Sequence, residues 1–310
     1  MPTPPPLPSP FSSRPFSTRE ALAHRVTPRV LRSPGLHTPF FGARSVAPVT
    51  TAVAAAHAYA TSMAPDARLS HVTAAALWGL PLPRRLSDSA EVHVTLPGSD
   101  RSVRARNVIG HRSSTSGPPE YVEEIRVSDP LETWASLGPF LTIDELIAAG
   151  DAVCDPYGLA STRDDLAAEI GRVAGRRGLA KVRRAFVDVR EGSRSPQETA
   201  LRLALVRAGA RMPFLNAEVH SAAGVFLGQA DLVYGRERLA IEYEGDHHRT
   251  DRDQWHKDLG RSERFADDGW RMMRVAADEA RRGFIATTAR VIRLLTERGQ
   301  ELNRPSAPVR

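Results

Sequence analysis

A tight turn at Gly235 divides residues 228–249, GQADLVYGRERLAIEYEGDHHR, into two strands that should pair as a hairpin. Along the returning strand, Arg238 to Glu244, side chains alternate between faces. Leu239, Ile241 and Tyr243 go one way, Glu242 and Glu244 the other. Asp231 on the neighbouring strand reaches the acidic face, so three carboxylates are expected together. Carboxylates roughly 6 Å apart repel by about 2–3 kcal/mol at an effective dielectric of about 20. Three such pairs would penalise the fold by several kcal/mol, a large share of ordinary stability. The cluster therefore needs a proton held at raised pKa, an arginine, or a divalent cation. An all-oxygen donor set suits Mg²⁺ or Mn²⁺, with waters and a substrate phosphate completing the shell.

A fourth acid points the same way. Ser195 and Glu198 have the spacing of a capping box, and Pro196 suits the first turn of a helix. Glu198, Leu201 and Leu205 fall at i, i+3 and i+7, which sets Glu198 on the inward face, where an acid requires a partner. Capping and a site role are compatible. Beyond the hairpin the pattern predicts a helix over 252–268, a strand over 270–275 and an amphipathic helix over 283–298 carrying Phe284, Thr288, Val291 and Leu295 on one side. Gln254, Lys257, Asp258 and Arg261 share one helical face, which is either a plain polar surface or one that meets DNA. His247 reads as a solvated neighbour and Trp255 and Trp270 as core.

This order (helix with Glu, strand with Asp, strand with Glu-x-Glu-Gly and a trailing His) resembles the PD-(D/E)xK nuclease superfamily, in the branch similar to very-short-patch mismatch-repair endonucleases. SPQETALRLALVRAG resembles the family's opening helix, ADLV its metal-binding strand, IEYEGDHH its acidic strand, and FADDGWRMMRV its Gly-Trp-Arg strand; the match spans about residues 193–298. The resemblance implies that Asp231 and Glu242 ligate the metal, helped by the Tyr243 carbonyl, and that Glu198 holds a second ion or orients water. Glu244 stands where classical members carry a catalytic Lys. A Glu supplies no positive charge, so the resemblance leaves His248, or Lys257 from the next helix, to compensate; His248 is the better candidate, being near the strand end and able to act as a general base.

The earlier part of the chain carries less chemistry. Residues 1–16, MPTPPPLPSPFSSRPF, are Pro-rich and predict a disordered start without a core. A capped helix at Ser17 or Thr18, a second short helix at Arg29–Arg32 and an extended piece over 38–46 would make a small winged helix. SHVTAAALWGLPLP predicts an N-capped helix ended by Gly79. Segments 90–96 and 102–111 predict strands joined by a turn at Gly98, with helices near 129–137, 142–153 and 160–187 to follow. His71, His93 and His111 in these elements read as structural, and Cys154 as a small buried residue. Residues 17–45, followed by SHVTAAALWGLPLP and EVHVTL, resemble the winged-helix and linked domain of AbiEi-type antitoxins, DNA-binding proteins of type IV toxin–antitoxin systems. That resemblance implies a recognition helix with Arg29 and Arg32 on phosphates or bases.

The fold class expected is thus α/β (α+β): a winged-helix-like region with linker helices over 17–190, a restriction-endonuclease-like domain with a small central mixed sheet flanked by helices over 191–300, and a tail over 301–310. A formal charge of +6 mildly favours an anionic partner. Only Lys181 and Lys257 are lysines, so the arginine excess, with abundant Ala and Pro, reflects a GC-rich coding sequence more than selection for phosphate binding. No apolar run approaches the ~18 residues that a bilayer needs, and the lone Cys154 fits a reducing, cytoplasmic setting. The leading expectation is a Mg²⁺- or Mn²⁺-dependent endonuclease acting on DNA in repair or phage defence, alone, as a homodimer or with a cognate toxin or defence partner. The alternative is a non-catalytic DNA-binding regulator or antitoxin-like protein that keeps a nuclease fold as scaffold.

Overall fold

The computed structural model describes residues 7–98, 102–113, 117–173, 175–245 and 252–302, with the backbone alone over 252–259 and 301–302. It divides into two compact units. The first runs up to Val153 and resumes over Leu159–Val189. The second comprises Cys154–Gly158 and the chain from Arg190 onward. Among the described residues no helix is long and apolar enough to cross a membrane.

The first unit opens with a small subassembly. Strand β1 (Phe16–Ser17), helices α1 (Thr18–Ala23) and α2 (Pro28–Leu31), and strand β2 (Ala43–Arg44) follow in order, with β1 and β2 antiparallel. Ser17 and Thr27 cap the two helices through side-chain oxygens, as local chemistry demands. The Pro-rich start departs from expectation. Phe11 and Phe16 are fully buried, with Ala21, Val26, Val30 and Leu31 packed around them. Two aromatic side chains supply enough apolar area to hold a segment whose prolines already limit its unfolded freedom.

The rest of the unit comprises α3 (Ala52–Ala60), β3 (Arg68–Leu69), α4 (His71–Leu77), α5 (Arg84–Ser87), β4 (Val92–Pro97), β5 (Arg104–Ala105), β6 (Val108–Ser113), β7 (Glu120–Val122) and β8 (Ile125–Val127). Four helices complete it: α6 (Pro130–Ser136), α7 (Ile143–Val153), α8 (Arg163–Arg172) and α9 (Leu179–Phe186). The sheet order is β5-β6-β4-β3-β8-β7. Strands β4 and β6 are parallel neighbours, not the simple pair about Gly98 that the sequence predicts, because β5 makes the hairpin on the outer edge of β6. The single helix expected over 160–187 is two. Gly175 and Gly178 both adopt positive φ between them, and a Cβ at Gly178 would lie 2.7 Å from the Gly138 carbonyl carbon.

The second unit has the order α10 (Pro196–Arg207), β9 (Phe214–His220), β10 (Phe226–Tyr234), β11 (Leu239–Glu244), α11 (Arg252–Asp267), β12 (Arg271–Ala276), α12 (Ala277–Arg281) and α13 (Ile285–Leu302). Its four-stranded mixed sheet runs β12-β11-β10-β9, antiparallel except for the β11–β12 pair, which α11 connects. Leu201 and Leu205 of α10 and Val291 of α13 cover one face, on Leu232, Tyr234, Leu239, Ile241 and Met273. Phe265 of α11 covers the other, on Val219, Leu227, Val233 and Ala240.

Candidate acidic site

The acids gather where β10 and β11 meet α10. Leu232 pairs with Ile241, so the same antiparallel register sets Asp231 across from Glu242. Ala230 belongs to the core under α11 and Leu232 to the core under α10, so Asp231 sits where its strand changes the face that it buries. The neighbouring strand breaks at the same level. Asn216, between the partners of Ala230 and Leu232, has a φ of +43, a conformation that Asn tolerates better than most side chains.

Asn216 ties the site together. Its Nδ2 donates to the Glu198 Oε2 at 2.6 Å and to the Gly192 carbonyl at 2.9 Å, and its own backbone carbonyl accepts from the Gln229 Nε2 at 2.6 Å. Glu198 Oε2 also accepts the Arg194 backbone N–H at 2.9 Å, while Ser195 Oγ accepts the Glu198 N–H at 3.1 Å. Glu198 is thus both a first-turn residue of a capped helix and a buried acid turned inward. Arg194 reaches the Gln229 Oε1 at 3.0 Å and stacks over the Tyr157 ring at 4.4 Å.

Asp231 Oδ2 accepts the Tyr243 N–H at 2.7 Å. Burial, followed by repulsion from Glu198 and Glu242, pushes the Asp231 carboxyl up to about 6 from an ordinary 3.8, despite the Tyr243 N–H and the Arg261 guanidinium. The carboxylates that meet are therefore Glu198, Asp231 and Glu242. Glu244 does not join them: it lies exposed at the end of β11 and pairs with Arg274 of β12 at 3.2 Å.

Arg261, expected on an outward face of its helix, turns inward. It pairs with Glu242, donates to the Gln229 carbonyl and lies 5.6 Å from the Phe265 ring centre. Phe265, one turn on and fully buried, is the signal that places Arg261 on the inner face. Asn216 and Gln229 carried no comparable signal. Gln254, Trp255, Lys257 and Asp258 belong to α11, in the part where only the backbone is described, and His247 and His248 lie outside the described residues. Arg29 and Arg32, at α2 and its C-cap in the other unit, are exposed.

The donor set here is all oxygen, and at Asp231 its negative charge is incompletely balanced, which fits a hard divalent cation. Its present spacing is wider than a closed three-ligand site, since Glu242 is drawn to Arg261 and Glu198 to Asn216. Among the described residues, the three side chains that meet such spacing are His71, His93 and His111 in the first unit. No family model, curated protein or solved structure matches this chain.

Proposed function

We propose that the second unit is a divalent-cation-dependent endonuclease domain of the PD-(D/E)xK type, hydrolysing phosphodiester bonds in DNA. The observation that carries this reading is the Asp231 carboxyl, held at a raised pKa between Glu198 and Glu242 on the two inner strands of a mixed sheet with the element order α-β-β-β-α-β. A fold keeps such repulsion where function needs it. Asp231 and Glu242 would hold the ion, with Glu198, fixed by Asn216 and the Arg194 N–H, orienting water beside them. Bound there, Mg²⁺ or Mn²⁺ would acidify water and offset charge on the phosphate.

The chain's own groups divide the remaining work. Arg261 brings a guanidinium to Glu242, which supports it as the source of the positive charge that Glu244 cannot give in the place of the usual Lys. His248 would accept the proton of the attacking water as the water oxygen bonds to phosphorus and the bridging P–O bond breaks. Arg29 and Arg32 in the first unit would contact DNA phosphates or bases.

The Arg261–Glu242 and Arg274–Glu244 pairs favour a second reading, a DNA-binding regulator that keeps the nuclease scaffold without turnover. Incubation of the full chain with supercoiled, nicked and mismatched DNA in Mg²⁺ or Mn²⁺ separates the two. Cleavage that needs the ion and disappears in Asp231→Ala, with DNA binding retained, supports the enzyme. Binding without ion-dependent cleavage supports the regulator.

A further inference from the structure

The first unit holds a second constellation, independent of the acidic site. His71 begins α4, His93 lies in β4 and His111 in β6, and one ring nitrogen from each falls within 4.8 Å of the others. The parallel register sets Thr95 beside His111, two residues along β4 from His93. His93 Nδ1 and His111 Nε2 are 2.9 Å apart, and His71 stacks on His111 with ring centres 3.6 Å apart. Phe140 closes one side, its ring edge-on to His93 at 4.9 Å and to His71 at 5.9 Å.

Three details set this cluster apart from ordinary core histidines. The first is backbone strain: His71 has a φ of +49, a left-handed conformation uncommon for a residue other than glycine, and strain of this kind gathers at functional sites. The second is orientation. His71 Nδ1 lies 3.0 Å from Ser70 Oγ, which accepts the Thr95 hydroxyl at 2.8 Å. Ser70 is thereby diverted from capping α4, which has no side-chain cap, to fixing an imidazole. In the tautomer that donates Nδ1–H to Ser70, Nε2 of His71 keeps its lone pair for a ligand. The third is access: His71 and His111 line a cavity of about 450 Å³ together with Ser136, Phe140 and Arg176.

The electrostatics agree. Burial first, then the neighbouring His111, lowers His93 to about 3; burial and then Arg176 lower His111 to about 4; and His71 is held well below its usual 6.5 by burial, the other two rings and Arg176. A neutral imidazole is the form that binds metal. Glu132, 3.3 Å from Arg176, offsets part of the positive charge that Arg176 brings to a cavity also lined by Arg112 and Arg177.

We propose that His71, His93 and His111 form a nitrogen site for a divalent transition ion of the Zn²⁺ class, with its open coordination facing the cavity. Three imidazoles suit Zn²⁺, Ni²⁺ or Cu²⁺, and discriminate against Mg²⁺, which prefers oxygen. Coordination would replace the His93–His111 contact, so small ring rotations accompany binding.

The test uses the full chain, stripped with a chelator and titrated with Zn²⁺ in the presence of excess Mg²⁺, with Co²⁺ as a spectroscopic stand-in. One equivalent should bind, and Co²⁺ should give the strong visible bands of a four-coordinate site. His111→Gln and His71→Gln should each weaken binding at least a hundredfold. Ser70→Ala should weaken it by roughly tenfold, as loss of a group that orients a ligand does. Asp231→Asn should leave it unchanged. Thermal melting with and without Zn²⁺ guards against misfolding: the wild type gains melting temperature with the ion, and a folded His111→Gln protein does not. Failure of the wild type to take up Zn²⁺, or equal uptake by folded His111→Gln, overturns the proposal and leaves the acidic-site reading untouched.

Discussion

Replacing Asp231 by Asn should make the metal-free protein more stable, and the effect should depend on pH in a defined direction. The folded carboxyl titrates at about 6 against an ordinary 3.8, a difference of roughly two units, worth about 3 kcal/mol in all. The folded state holds the proton more tightly than the unfolded chain. Below 3.8 both states are protonated and the penalty is absent; it grows as pH rises between 3.8 and about 6, and is complete above that range. Asn keeps an oxygen to accept the Tyr243 N–H and offers its amide to Glu198 or Glu242. Urea unfolding with EDTA present, run across this window, should show the variant's advantage rising from near zero to about 3 kcal/mol, with m unchanged. Added Mn²⁺ should narrow the gap by stabilising the wild type alone. An Asp231→Asn variant that is less stable at every pH, or a difference that ignores pH, would refute the claim that uncompensated charge resides at Asp231.

Other substitutions probe the supports of the site and of the fold. Asn216→Ala strips the Glu198 carboxylate of its 2.6 Å donor and should cost about 1–3 kcal/mol by chemical denaturation; a neutral result would mean that Asn216 does not hold Glu198 in place. Arg261→Gln removes the guanidinium paired with Glu242 beside Asp231 and should raise the Asp231 titration, readable by carboxyl NMR, whereas an unmoved titration means Arg261 is not coupled to the cluster. Leu201→Ala, at a fully buried position under the sheet, should lose about 2–5 kcal/mol; a loss under about 1 kcal/mol would mean that α10 packs loosely. Gly178→Ala forces a Cβ into the Gly138–Pro139 backbone at positive φ and should lower the melting temperature of the first unit. An unchanged melting point would show that the α8–α9 joint is not tightly set.

The features legible in the sequence were those written in local chemistry. Ser195, Pro196 and Glu198 announce the start of α10, and the alternation through Leu239, Ile241 and Tyr243 announces β11, because caps and period-two patterns act over a few residues. Strand β9 escaped notice for a physical reason: it is an edge strand with Phe214 exposed and Asn216 left-handed, so no alternation survives in FLNAEVH. Strands β3, β7 and β8, two or three residues long, carry no period at all. The burial of Phe11 and Phe16 depends on partners that only the folded chain assembles. At the acidic site, register brought Glu242 to Asp231, but which arginine would answer which acid was settled by tertiary neighbours, Arg261 of α11 for Glu242 and Arg274 of β12 for Glu244. The histidines illustrate the same limit, since their three elements meet through a parallel strand pair that no spacing in the sequence foretells.

The chemistry proposed for the acidic site turns on whether Asp231 and Glu242 hold a divalent cation. Calorimetric titration of Mn²⁺ into the full chain, with Zn²⁺ first bound or the His111→Gln variant used to silence the nitrogen site, asks this most directly. A saturable binding event that vanishes in Asp231→Ala is the result expected. Absence of heat in the wild type, or identical heats in the two proteins, would contradict it and leave a scaffold whose acids answer only to arginines.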